Sequence, residues 1–160
     1  MNSIIKYPRT IHLEGSGIQK GDKKICYPIE KLVGKYVVIE EKLDGSNVGI
    51  SFDSDKNLYL QSRGHYLVGH PREFHFSYFK QWANERRYML WHILKDKYIL
   101  YAEYTFATHS IFYNALSSYI NEFDIFDKEK GYFLSTNKRF ALLKDFRKDM
   151  VISVPILWDG

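Results

Sequence analysis

The stretch Val37-Val38-Ile39-Glu40-Glu41-Lys42-Leu43-Asp44-Gly45-Ser46-Asn47-Val48-Gly49-Ile50-Ser51-Phe52 joins a β-branched run to a second apolar run through a short polar segment with one glycine. The first run predicts a buried strand over Tyr36–Glu41. Val48 to Phe52 followed by Leu58 to Gln61 predicts a hairpin turning through Asp53-Ser54-Asp55-Lys56-Asn57. Lys42 to Asn47 then falls in a strand-to-strand turn, and a lysine leaving a buried strand there presents its amine in a cleft.

Working outward, Phe79, Trp82, Ala83, Met89, Leu90, Ile93 and Leu94 recur at helical spacing between Glu73 and Leu94, opposite polar Lys80, Gln81, Glu85 and Arg87. Tyr98–Phe106 and Tyr119–Phe126 read as strands. Ser135 or Thr136 caps a helix running to about Lys148, and a last strand covers Val151–Leu157. The first thirty residues, punctuated by Pro8, Gly15, Gly17, Gly21, Asp22 and Pro28, form an irregular arm. The expectation is an α+β fold dominated by antiparallel strands with two packed helices, a single domain over residues 1–160 with no internal repeat or linker.

Composition agrees with that picture. A chain of 160 residues can bury one sizeable core, and its 45% hydrophobic content, with 13 Tyr and 11 Phe against 4 Pro, excludes a disordered chain. Net charge is +4 and the pI about 9.0, which mildly favours a polyanionic partner such as a nucleotide or nucleic acid. Basic residues gather at Lys20, Lys23 and Lys24, at Arg86 and Arg87, and at Lys138, Arg139, Lys144, Arg147 and Lys148; on charge alone they read first as solvated surface. With Cys26 as the only cysteine there is no intrachain disulfide, and no apolar run reaches the roughly 20 residues of a membrane helix. A soluble, cytoplasmic protein is the simplest expectation.

A lysine acts as a nucleophile only when unprotonated. From a free pKa near 10.4, neutrality takes a shift of about 3 units, or roughly 4 kcal/mol, from desolvation or neighbouring cations. Gly45 lets the backbone approach a phosphate, and Asn47 offers an amide to a ribose hydroxyl or to the lysine. Taken alone, Lys-x-Asp-Gly is also a common charged turn.

Three further stretches follow in order: Gln61-Ser62-Arg63-Gly64, Tyr101-Ala102-Glu103-Tyr104, and Glu122-Phe123-Asp124-Ile125-Phe126-Asp127. Together with Lys42, Asp44, Gly45 and Asn47 they resemble the successive motifs of the covalent nucleotidyltransferases, the superfamily of polynucleotide ligases and mRNA capping enzymes. Tyr7-Pro8-Arg9-Thr10, His12-Leu13 and the run Gln61–Tyr66 are similar to a bacterial and phage group of ATP-dependent RNA ligases, rather than to DNA ligases or GTP-using capping enzymes.

The resemblance implies an antiparallel-sheet-rich ligase adenylation fold in which Lys42 attacks the α-phosphate of ATP and carries AMP on the way to sealing RNA 5′-phosphate and 3′-hydroxyl ends. It implies Mg²⁺ or Mn²⁺ as cofactor and RNA ends, nicked or broken, as partner. Arg63 would meet the ribose or the RNA end, Glu103 the ribose hydroxyls, and Phe123 would stack on adenine. Asp124 and Asn47 would support nucleotide and metal, Asp44 and Gly45 would shape the lysine turn, Glu41 would lie at the adenine edge, and His12 would line the pocket. Each has a plainer alternative: Phe123 as a core residue, Glu103 as a half-exposed strand carboxylate, Arg63 paired with Glu103 or Asp44.

His65, His70 and His75 recur every five residues, which matches no familiar zinc spacing, and His109 has no assigned role. The superfamily also uses a Glu-Gly strand and a Lys-x-Lys strand downstream. Lys128-Glu129-Lys130 has the letters of the second, but it sits beside Gly131 in a turn. The expectation is a domain truncated before its last two motifs, served by a missing C-terminal half or a complementing chain. The alternative to a ligase is a non-catalytic nucleotide- and RNA-binding fragment.

Overall fold

The computed structural model describes residues 3–17, 25–107, 110–147 and 150–160. Lys20, Gly21, Asp22, Lys23, Lys24, His109 and Lys148 lie outside them. In chain order the elements are β1 (His12–Leu13), β2 (Cys26–Tyr27), β3 (Val38–Glu40), β4 (Ser46–Phe52), β5 (Leu58–Ser62), α1 (Ser77–Glu85), α2 (Arg87–Leu94), β6 (Tyr98–Tyr104), β7 (Ile120–Asp127), β8 (Tyr132–Phe133), α3 (Thr136–Leu143), β9 (Ile152–Ser153) and β10 (Ile156–Asp159). Short 3₁₀ turns cover Ile29–Leu32 and Pro71–Phe76. No described helix is long and apolar enough to cross a membrane.

The main sheet runs β5-β4-β6-β7-β8, antiparallel throughout, with β9 added in parallel to the same edge of β7 that β8 pairs further along. Strand alternation sorts its two faces. Val48, Ile50 and Phe52 of β4, with Leu100, Ala102 and Tyr104 of β6, point into the core beneath the helices. There they meet Phe79 and Ala83 of α1 and Leu90, Ile93 and Leu94 of α2, all buried. The Val, Leu, Ile and Phe side chains among them each contribute about 1.5–3 kcal/mol of burial. The other face carries the residues of chemical interest.

Four sequence expectations change in detail. The helix expected across Glu73–Leu94 is a 3₁₀ turn and two α-helices meeting at Arg86, and Met89 is exposed. The run Val37–Ile39 is not a buried strand of the main sheet: among the described residues β3 pairs only with β10, and Ile39 is 49% exposed. The strand expected over Val151–Leu157 splits, because Pro155 has no N–H to give a ladder, leaving β9 on the main sheet and β10 on β3. Ser135 precedes α3 with extended backbone as a cap residue should, but its side chain makes no capping bond, and the helix ends at Leu143.

Candidate active site

Lys42 lies in the link between β3 and β4, and Ser46 and Asn47 already belong to β4 rather than to a turn. The link is pinned on both sides. Gly45 N–H donates to Glu103 Oε1 at 2.9 Å, Asp44 N–H donates to the Tyr113 hydroxyl at 2.7 Å, and Asp44 Oδ2 accepts from Ser110 N–H at 2.8 Å. Gly45 is required by space and not by backbone angle: a Cβ there would run into the Tyr104 carbonyl and press on Thr105 Cγ2 at 3.2 Å. Lys42 itself is exposed, so burial does not supply the desolvation expected from its place after an apolar run.

Register brings the remaining motif residues alongside. Asn47 pairs with Glu103 across β4 and β6, and Glu103 with Asn121 across β6 and β7. The Asn47 Oδ1 atom is buried with no hydrogen-bond partner among the described residues, a costly state for an amide oxygen. Between Tyr101 and Ala102 the β6–β7 register slips, so Asp124 faces Tyr101, Glu122 faces Ala102, and Phe123 is the extra residue. Such a bulge re-aims side chains. Here consecutive Phe123 and Asp124 both reach the same neighbour, Tyr7.

Tyr7 comes from the N-terminal arm, which lies across this face. Its ring is edge-on to Phe123 (5.0 Å between centroids, 87°), Tyr101 (5.2 Å, 61°) and Phe133 (5.3 Å, 70°), and its hydroxyl donates to Asp124 Oδ2 at 3.1 Å. Gln61 Nε2 and the Tyr101 hydroxyl both donate to the Ile5 carbonyl, at 2.9 and 2.8 Å. Burial pushes the Tyr7 and Tyr101 hydroxyls well above the ordinary tyrosine range. It also lifts the Asp124 carboxyl to about 6, against the opposing pull of Arg139 and of the Tyr7 hydrogen bond.

Behind the bulge sits a charge cluster. Arg139, on α3 and 3% exposed, donates to both carboxylate oxygens of Glu40 (3.0 and 3.2 Å) and, through a very short contact, to the Phe123 carbonyl. Its Nε lies 3.0 Å from Glu122 Oε1, a charge contact in which neither atom completes a hydrogen bond among the described residues. Glu122, accepting from Ser153 Oγ at 2.7 Å, is pushed up to about 7 by burial, with Arg139 and Ser153 opposing.

Other expected residues fall outside this cluster or stand differently in it. Arg63 is exposed and pairs with neither Glu103 nor Asp44 among the described residues. The Glu41 N–H is donated to the Pro155 carbonyl at 2.9 Å and so is not free for a base edge. His12 sits in β1 opposite Cys26, with Nδ1 3.4 Å from Ser16 Oγ. Lys128-Glu129-Lys130 lies in the turn after β7, with Lys128 Nζ on the Phe52 carbonyl. Two surface grooves, of about 290 Å³ around Leu60 and Arg87 and about 400 Å³ around Trp82 and Tyr119, contain none of the candidate residues in their walls. Sequence reasoning missed Arg139, Tyr113, Ser110 and Phe133. Only Arg139 left a signal, as a charge one helical turn before buried Leu143.

The antiparallel sheet, with the Lys42 link at one end, Glu103 beside it and aromatic rings on one face, has the fold of a ligase adenylation domain. The chain belongs to the RNA ligase family, whose model matches residues 35–160. Its structure is similar to that of a Naegleria gruberi RNA ligase lysine-to-alanine mutant with ATP and Mn, at a TM-score of 0.55 and 19% identity, covering 82% of this chain and 39% of that one. It is likewise similar to the Naegleria gruberi RNA ligase with PPi, at a TM-score of 0.54 and 18% identity, covering 99% of this chain and 49% of that one. The chain therefore spans less than half the length of these solved ligases. No curated protein matches it in sequence.

Proposed function

We propose that this chain carries the nucleotide-charging step of an ATP-dependent RNA ligase, with Lys42 as the residue that takes AMP. The observation that carries this reading is the pinned Lys42–Asn47 segment lying beside Glu103 and at the end of a sheet face that also holds Phe123 and Asp124. In the step proposed, the unprotonated Lys42 Nζ attacks the α-phosphorus of ATP. The Nζ–P bond forms, the bond from that phosphorus to the bridging oxygen breaks, pyrophosphate leaves, and the amine proton passes to solvent. The adenylate then moves to an RNA 5′-phosphate, releasing Lys42, and attack by a 3′-hydroxyl seals the strand and releases AMP.

The chain's residues suit a nucleotide. The unpartnered Asn47 Oδ1 is an acceptor waiting for a donor, such as a ribose hydroxyl. The Phe123 ring offers a stacking surface, and Glu103, already holding Gly45, would accept ribose hydroxyls as a charge-assisted partner. Arg63, being exposed, is suited to an RNA end. Asp44 and Gly45 would set the lysine link, His12 would stand at the pocket's edge, and Glu41 could meet the base only through groups other than its N–H.

Among the described residues no group of three His, Cys, Asp or Glu side chains is placed to hold a metal ion. That suits Mg²⁺ or Mn²⁺ held chiefly by phosphates and water, with Asp124 and Asn47 as oxygen donors. The ion would neutralise charge building on the phosphates.

A second reading, a nucleotide- and RNA-end-binding unit that does not turn over, is favoured by one observation. Lys128-Glu129-Lys130, which has the letters of a phosphate-facing Lys-x-Lys strand, lies in a turn, with Lys128 Nζ tied to the Phe52 carbonyl. Incubation with ATP and divalent ion followed by intact-mass measurement separates the two. AMP addition that disappears in Lys42→Ala supports the ligase, whereas ATP binding without any adduct supports the binding unit.

A further inference from the structure

Arg139 is a buried cation, and a buried cation is stable only when paired and hydrogen-bonded. Its partners come from opposite sides of the proposed site. Glu40, which takes two of its N–H groups, ends β3 two residues before Lys42. The Phe123 carbonyl, which takes another, belongs to the bulged residue proposed to stack on the base. Glu122 lies against Nε, and Thr136, one helical turn earlier on α3, reaches the same Glu40 oxygen at 3.4 Å.

β3 is not part of the main sheet. Among the described residues its ladder runs only to β10, and Arg139 and Thr136 are the side chains there that tie Glu40 to the main sheet through α3. From this geometry we infer that Arg139 is a positioning residue: it fixes the lysine-bearing segment relative to Phe123, setting the distance between nucleophile and bound nucleotide. The inference rests on the function proposed above. A guanidinium can do this because its N–H groups form a rigid planar fork that serves several acceptors at once, whereas an ammonium is a single point charge on a flexible stem. Arg139→Lys keeps the charge and loses the fork.

The test is single-turnover adenylation of the wild type, Arg139→Lys and Glu40→Gln at saturating ATP, with thermal unfolding measured on the same samples. Arg139→Lys is expected to remain folded and to form the adduct at least about tenfold more slowly. The ATP concentration for half-maximal rate should change by less than about threefold. Glu40→Gln should fall between it and the wild type. A smaller yield of adduct formed at the wild-type rate constant would mean that Arg139 only supports folding, and overturns the inference. If the wild type itself forms no adduct, the functional reading fails and hydrogen exchange decides the positioning role. Faster exchange in Arg139→Lys at Asp44, Gly45 and residues 123–125, with Ile50 and Leu100 unchanged, supports it; uniform change or none overturns it.

Discussion

Replacing Gly45 by alanine tests the architecture of the lysine link with a single methyl group. Gly45 has no unusual backbone angle, so the substitution introduces no conformational strain of the left-handed kind. What it introduces is a Cβ driven into the Tyr104 carbonyl, which is strand backbone in β6 and cannot move aside as a side chain would. The link has to retreat by something on the order of 1 Å, and a displacement of that size can cost about 100-fold in rate when it separates reacting groups. Retreat also weakens the 2.9 Å bond from Gly45 N–H to Glu103. Hydrogen bonds to charged groups contribute about 1.5–3 kcal/mol. Overpacking adds about 1–3 kcal/mol of destabilisation, a fall of several degrees in the unfolding midpoint for a chain this long. Quench-flow with intact-mass detection should therefore show adduct formation slowed by about two orders of magnitude in a protein that still unfolds cooperatively. A Gly45→Ala variant that adenylates within about threefold of the wild-type rate would refute the argument, since the link would then tolerate displacement.

Two further outcomes are expected. The Glu122 carboxyl, raised by burial from its ordinary 4.5 to about 7, is protonated in the fold while the unfolded chain ionises. The folded state thus binds more protons across that window, and the contribution of Glu122 to stability is full below about 4.5 and declines as pH rises toward 7. Glu122→Gln should flatten that decline in denaturant titrations run at several pH values; an equally steep decline in the variant would show that other groups cause it. Phe79→Ala, emptying a fully buried site between α1 and the sheet, should cost about 3–5 kcal/mol by urea unfolding, and a loss under about 1 kcal/mol would mean that the helix layer does not carry the core.

Much of the fold is legible in the sequence because the apolar residues of β4 alternate and those of β6 run in an unbroken β-prone stretch. Val48, Ile50 and Phe52 are buried on one face, and the five residues between Phe52 and Leu58 close the expected hairpin. The break at Arg86 is not legible, since Phe79, Trp82, Ala83, Leu90, Ile93 and Leu94 keep one helical spacing across it. The exposure of Ile39 is equally hidden: a β-branched run states a preference for extended backbone but not how many neighbours the strand will have. Pro155 was a legible signal for the split between β9 and β10. In the candidate site, motif order singles out Lys42, Glu103 and Phe123 as candidates, and strand register brings Asn47 beside Glu103. The bulge that turns Phe123 and Asp124 toward the same ring, and the long-range reach of Arg139 to Glu40 across 99 positions, are products of tertiary packing that no local pattern encodes.

The central claim concerns one nitrogen atom. Digesting the protein after incubation with ATP and Mg²⁺ or Mn²⁺, and sequencing the AMP-bearing peptide by tandem mass spectrometry under conditions that preserve an acid-labile phosphoramidate, locates the nucleotide directly. AMP is expected on Lys42 alone, removed by pyrophosphate and absent from Lys42→Ala. AMP on another lysine, or the same modification in Lys42→Ala, would contradict it.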